Sequence, residues 1–177
     1  MLTGTITAFN KLSSHLSNYN KPMKFYYTIL TTLFALFLAP ALQAQTDMEW
    51  DTHGVGFSVP KNFKIETNNA EEFTAGNDEL FLSILPIQDK TLTKDDLADA
   101  VVEMAEGLNY DRIQEGDEIE VDDFTGYYIK GRKDGVNAVF MALLDKESST
   151  NLLVVIVYAD DYEDEAVAIA SSFYAYD

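Results

Sequence analysis

The chain has 177 residues, no cysteine, and 30 acidic against 12 basic residues, which gives a formal net charge of −18. This charge argues against nucleic acid and anionic membrane surfaces as partners, because both are bound through clustered lysine and arginine side chains. A hydrophobic content of 47% excludes a disordered acidic tail and indicates one folded domain, whose core must form without disulfides. Positively charged partners and divalent cations remain compatible with the charge, as does a surface that is simply well solvated.

Residues 23–44 have the three regions of a secretory signal peptide. They open with Met-Lys, continue as an apolar run of 15 residues over 25–39, and end in Ala-Leu-Gln-Ala44. The run is short of the ~20 residues that a membrane span needs. We predict cleavage near Ala44 and a secreted or periplasmic mature domain, residues 45–177, with no membrane insertion after cleavage. An uncleaved signal anchor is the alternative.

Residues 1–22 are polar, without a clear period, and precede a Met-Lys start that suits a signal peptide. We interpret them as an upstream extension from a misplaced start, with translation beginning at Met23. Removing residues 1–44 takes away three lysines and no acids, so the mature domain has 9 bases against 30 acids and a net charge of −21.

Alternating apolar residues predict strands over 55–59 and 63–65 in the first part of the mature domain. A short strand is predicted at 73–75, and the mostly apolar segment 79–88 also reads as a strand. A helix follows over 93–108. Thr93 and Asp96 have the spacing of a capping box, and apolar residues then recur on one helical face.

The second half of the mature domain reads as a run of strands closed by a helix. Strands are predicted within 118–124, 126–132, 136–144 and 151–159, and Asp134-Gly135 is typical of a type I′ hairpin turn. Apolar residues at three- and four-residue spacing then predict a helix over about 162–175. The strand at 152–158 has no polar alternation and should be covered on both faces. We therefore predict an α+β fold, an α/β/α sandwich around a mainly antiparallel sheet.

His53 is the single histidine of the mature domain, and Asp51 lies two residues before it. One interpretation is a general base oriented by a carboxylate; the other is a surface histidine ahead of a strand. Ser58 and Ser83 lie inside apolar alternation, which is typical of sheet serines rather than of a nucleophile at a strained turn. The sequence also contains no HExxH, CxxC or phosphate-binding loop.

Acidic residues cluster at 115–123 and at Asp160, Asp161, Glu163 and Asp164. A calcium site needs roughly six to eight oxygens converging from a turning loop, normally with a glycine, and the second cluster has none. Asp161 and Asp164 have the spacing of a helix N-cap and its third residue, so this cluster is better interpreted as the start of the last helix. In the first cluster the acids alternate with Ile119 and Val121, as on a strand with one solvated face.

Three motifs give the mature domain a resemblance to a known superfamily. They are Gly54-Val-Gly-Phe57-Ser-Val59-Pro60-Lys-Asn-Phe63, Asp123-Phe124-Thr-Gly126-Tyr127-Tyr128 and the late Ser172-Phe173. Over about residues 50–176 the sequence resembles the PsbP-like superfamily, whose members include small exported bacterial proteins. The resemblance implies an α/β/α sandwich with a binding or assembly role and no catalysis. The superfamily also includes an extrinsic photosystem subunit, and the acidity of this chain departs from it, so the metal and docking sites of the photosystem members are not carried over. The resemblance transfers no catalytic residue.

We therefore expect an exported, non-enzymatic binding or assembly module, monomeric, without a cofactor, whose partner is a protein or a cationic ligand of the cell envelope. Two alternatives stay open. One is an envelope hydrolase or metal-assisted enzyme that uses His53 and Asp51. The other is a low-affinity calcium-binding protein that uses the acids at 160–164.

Overall fold

The computed structural model describes residues 45–87, 92–110, 112–147 and 150–176. The predicted extension (residues 1–22) and signal peptide (residues 23–44) lie outside the described residues. Within the described ranges, no helix is both long enough and apolar enough to cross a membrane.

Strands make up most of the described chain. They are β1 (Gln45–Trp50), β2 (Val55–Pro60), β3 (Lys64–Asn68), β4 (Phe73–Gly76), β5 (Leu80–Pro86), β6 (Arg112–Ile113), β7 (Asp117–Val121), β8 (Phe124–Lys133), β9 (Val136–Asp145), β10 (Leu152–Tyr158) and β11 (Tyr174–Ala175). The large sheet has the order β3-β4-β5-β10-β9-β8-β6, with β7 also paired to β8, and a small sheet has the order β1-β2-β11. The pairings described within both sheets are antiparallel, as predicted.

Helix α1 (Leu97–Gly107) is preceded by a 3₁₀ turn, Lys94–Asp96. The predicted capping box forms there, because the Thr93 backbone N–H donates to Asp96 Oδ2 at 2.9 Å and the Thr93 hydroxyl donates to the same oxygen at 2.6 Å. These hydrogen bonds lower the pKa of Asp96. The box fixes the start of the helix, which then packs on β8 and β9.

Two layers cover the large sheet, one on each face. Along β9, Val139 and Met141 belong to the main core cluster, which also includes residues of the small sheet and of helix α2 (Glu163–Ala170). The alternate residue Phe140 points to the other face, where its ring meets the ring of Tyr110, just after α1, at 4.9 Å. Both sides of β9 and β10 are thus buried, which explains their lack of polar alternation. The predicted α+β sandwich is confirmed.

The predicted last helix, 162–175, is too long. Helix α2 ends at Ala170, and the chain then extends so that β11 pairs with β2. Phe173 has helical spacing from the residues before it, but its ring packs against Phe57 at 5.3 Å from an extended segment. A three- or four-residue spacing cannot distinguish these two ways of burying one side chain.

The proposed capping role of Asp161 and Asp164 is also wrong. Helix α2 begins after a 3₁₀ turn, Asp160–Tyr162, whose N-cap is Ala159, and the N-cap of the α-helix itself is Tyr162 without a side-chain hydrogen bond. The acids still occupy the first turns, where the helix dipole favours negative charge.

Candidate functional site

The acids after β10 are paired with basic side chains of β8. Asp160 accepts two hydrogen bonds from the Arg132 guanidinium, at 2.7 and 3.0 Å, and one from the Asn137 amide at 2.8 Å. Hydrogen bonds from Arg132 and then Asn137 lower the pKa of Asp160. Glu163 accepts a hydrogen bond from Lys130 at 2.6 Å, which raises the pKa of that lysine.

The four acids considered as calcium ligands therefore do not converge. Asp160 and Glu163 point to different cations, and Asp161 and Asp164 are exposed. Throughout the described ranges, no three histidine, cysteine or acidic side chains are grouped so that they could hold a metal ion. The first acidic cluster behaves as predicted, since Glu118 and Glu120 are exposed on β7 while Val121 is buried.

His53 and Asp51 lie in the turn between β1 and β2 but have separate partners. His53 Nε2 is 2.9 Å from the carbonyl oxygen of Ala70, so this nitrogen carries the proton and donates it. The imidazole also lies against the Trp50 ring, with 4.1 Å between centroids. Asp51 instead accepts a hydrogen bond from the Tyr176 hydroxyl at 2.8 Å. The structure thus places both residues in one turn without the hydrogen bond that an oriented general base requires.

Neither serine is placed as a nucleophile. The Ser58 hydroxyl donates to Asp47 at 2.7 Å, and its backbone N–H donates to the Ser172 hydroxyl at 2.8 Å. Ser172 in turn donates to the carbonyl oxygen of Ile169 at 2.8 Å. The Ser172 hydroxyl therefore accepts from a backbone N–H of β2 at a position that the short β11 does not reach. Ser83 is buried within β5.

A groove of about 190 Å³ opens beside His53. Its lining includes carboxylates from two other turns, Asp123 between β7 and β8, and Asp145 and Glu147 at the end of β9. Asp123 accepts a hydrogen bond from the backbone N–H of Ala175 at 2.8 Å, which fastens β11 at the groove. Partial burial and the hydrogen bond to Asp51 raise the pKa of Tyr176, also in the lining, to about 12. This acidic groove offers oxygen acceptors to a cationic ligand.

A second pocket, of about 280 Å³, has the opposite character. It is lined by Asn109, Arg112, Arg132, Lys133, Asp134 and Gly135. It lies at the hairpin end of β8, whereas the acidic groove lies at the start of the same strand. Ten strand residues separate the two ends, a distance of about 30 Å. Sequence reasoning missed both features, because each is assembled from turns that are far apart in the chain.

Neither a protein-family model nor a curated protein sequence matches this chain. Several solved structures share its architecture, among them the following two. A protein of Bacteroides thetaiotaomicron, solved at 1.50 Å, superposes with a TM-score of 0.50 and 8% identity over 77% of this chain, which spans 50% of that protein. The Ran-binding protein Mog1p of Saccharomyces cerevisiae superposes with a TM-score of 0.51 and 9% identity over 76% of this chain and 97% of Mog1p. The likeness is one of fold.

Proposed function

We propose that residues 45–177 form an exported, non-enzymatic binding module of the PsbP-like type, whose partner is a positively charged protein of the cell envelope. The observation that carries this proposal is that the candidate catalytic and metal-binding side chains hold turns and strands together. His53 fixes the turn at Ala70, Asp51 holds Tyr176, and Asp160 holds Arg132.

The motifs that carry the superfamily resemblance also have structural roles. Phe57 and Phe124 are completely buried, and Gly54 has a φ of +63°. A Cβ at Gly126 would lie 2.2 Å from the carbonyl oxygen of Ala142. Core and turn positions of this kind support a shared fold. They do not determine the ligand, which depends on the surface residues.

Charge supports the choice of partner. A net charge of −21 on the mature domain attracts cationic proteins and repels anionic ones, and the attraction weakens as ionic strength rises. The acidic groove beside His53 concentrates this charge at one end of the large sheet.

The export step is tested by N-terminal sequencing of the protein from the envelope and culture fractions. A mature N-terminus at Gln45, the first residue of β1, is expected. Mass spectrometry that finds peptides from residues 1–22 in the precursor would refute a start at Met23.

The binding step is tested by affinity capture from the native envelope fraction with the mature protein as bait. Asp145→Asn with Glu147→Gln removes two of the three carboxylates that line the groove. Asp99→Asn with Glu103→Gln makes the same charge change on the exposed side of α1. A cationic partner that elutes with salt and is lost with the groove variant alone supports the proposal. Equal loss with both variants would show that only the total charge matters.

An envelope hydrolase using His53 is the alternative. A hydrolase activity that disappears in a folded His53→Ala variant would replace the non-enzymatic proposal with this one.

A further inference from the structure

The pocket at the hairpin end of β8 brings together three basic residues of a domain that has few. The chain contains two arginines, and both line this pocket together with Lys133. Three of the nine basic residues of the mature domain therefore meet in about 280 Å³, in a domain with a net charge of −21.

The two arginines face each other across a pair of strands. Arg112 of β6 is the direct register partner of Arg132 of β8. Side chains in such positions lie close together on one face, and like charges there destabilise the sheet. Asp160 compensates the charge of Arg132 with two hydrogen bonds. Arg112 has no hydrogen-bond or ion-pair partner among the described residues, so its placement has a cost without a visible structural return.

A count of donors shows which groups are available to a ligand. The Arg132 Nη atoms are used by Asp160, by the Asn137 side chain at 3.1 Å and by the Gly135 carbonyl oxygen at 3.5 Å. Lys133 donates to the carbonyl oxygen of Leu108 at 2.8 Å, which leaves two of its three N–H groups. The Arg112 guanidinium keeps all five of its N–H donors, in the planar arrangement that matches carboxylate and phosphate groups.

The walls of the pocket are held in place before any ligand arrives. Asp134 and Gly135 form the tight hairpin turn with φ values of +52° and +86°, and Asn109 ends α1 with a φ of +58°. The hydrogen bond from Lys133 to Leu108 joins these two turns. Such preorganisation lowers the entropy that a bound ligand would lose.

We propose that this pocket binds a small oxyanion, a carboxylate or phosphate group, through the Arg112 guanidinium. Arg132 and Lys133 supply further positive charge from positions fixed by their own partners. Asp134 is the one carboxylate among the lining residues and limits the site to small anions of low charge. The site is separate from the acidic groove, about 30 Å away, and does not depend on the cationic partner proposed above.

The test is a titration of the purified protein with inorganic phosphate and with succinate, at constant ionic strength against sodium chloride. Amide resonances in two-dimensional NMR spectra report the site through Asn109, Arg112 and Gly135, and calorimetry gives the affinity. Saturable shifts at these residues are expected. Saturable shifts with phosphate alone would identify a phosphate ligand, and shifts with succinate alone would identify a carboxylate ligand. Shifts with each of them would identify a site for the oxyanion chemistry that the two share.

Two charge-matched variants decide the result. Arg112→Gln should weaken binding at least about tenfold, which is the effect of losing a charge-assisted hydrogen bond. The amide resonances of the variant away from the pocket should stay in place. Lys64→Gln removes one exposed positive charge on β3 and should leave the affinity unchanged. Shifts that match those from chloride, or equal weakening in the two variants, would overturn the proposal.

Discussion

Tyr110 is a buried tyrosine whose hydroxyl has no hydrogen-bond partner among the described protein groups. Its side chain is 3% exposed, lies against the edge of Phe140, and fills the space left by Gly131, where a Cβ would be 3.0 Å from the ring. A buried hydroxyl without a partner costs about 1–3 kcal/mol. Tyr110→Phe removes the oxygen and keeps the ring, so we expect it to stabilise the protein by about 1 kcal/mol at pH 7.

The pH dependence of the unfolding free energy provides a second, independent test of the same substitution. Burial, and then the charge of Asp134, raise the pKa of Tyr110 from 10.0 to about 12. Below pH 10 the tyrosine is protonated in both folded and unfolded chains. As pH rises through 10 towards 12, the unfolded chain releases this proton first, and stability is lost. With a pKa of 10.0 in the unfolded chain and about 12 in the folded one, the unfolding free energy falls by about 1.4 kcal/mol at pH 11.

Urea unfolding followed by the fluorescence of Trp50, the single tryptophan and fully buried, measures both effects. The stability advantage of Tyr110→Phe should grow from about 1 kcal/mol at pH 7 to about 2.4 kcal/mol at pH 11. Tyr127→Phe, the same change at a half-buried position of β8, is the control for losing a phenol hydroxyl outside the buried core. A variant less stable than wild type at pH 7, or an advantage that stays constant with pH, would refute the reasoning.

Three further outcomes can be measured, two by urea unfolding and the third by thermal unfolding. Ser172→Ala should cost about 1–2 kcal/mol, because the Ser58 N–H loses its acceptor, whereas the exposed Ser171→Ala should be nearly neutral; equal effects would contradict this. Gly126→Ala should cost about 2 kcal/mol or more, since the new Cβ would overlap the Ala142 carbonyl oxygen, and an unchanged urea midpoint would show that the strands can move apart. Millimolar calcium should raise the melting temperature no more than sodium chloride of matched ionic strength; a calcium-specific rise of several degrees would establish a site.

Local patterns of the sequence were sufficient for most of the sandwich. Alternating or continuous apolar runs located most of the strands after residue 54, although they did not predict β1. The Thr93–Asp96 spacing located the start of α1, and Asp134-Gly135 fixed a hairpin whose two turn residues both have positive φ. Each of these features is decided within a few residues, so one sequence contains the information. The end of α2 is decided instead by pairing between β11 and β2, which residues 163–175 alone do not encode.

The candidate sites were harder to predict because they depend on register. Arg112 and Arg132 are twenty residues apart, and they meet only because β6 pairs with β8 in one particular alignment. The acidic groove likewise joins three turns from separate hairpins. His53 and Asp51 show the converse. They are close in sequence, but the turn directs their hydrogen bonds to Ala70 and Tyr176 instead of to each other.

The basic residues of β8 show how a strongly acidic domain uses its few cations. Lys130 and Arg132 lie on one face of the strand and bind acids at the start of α2. Lys133, on the other face, donates to the carbonyl oxygen of Leu108, the C-cap residue of α1. Each contact places a positive charge where the helix end or its acids are negative. These ion pairs are largely solvent-exposed, so they position the helices more than they stabilise the fold. Arg112 lies opposite Arg132 and has no hydrogen-bond or ion-pair partner among the described residues. Its position opposite another arginine, in the lining of a preformed pocket, is the feature that the proposed oxyanion would explain.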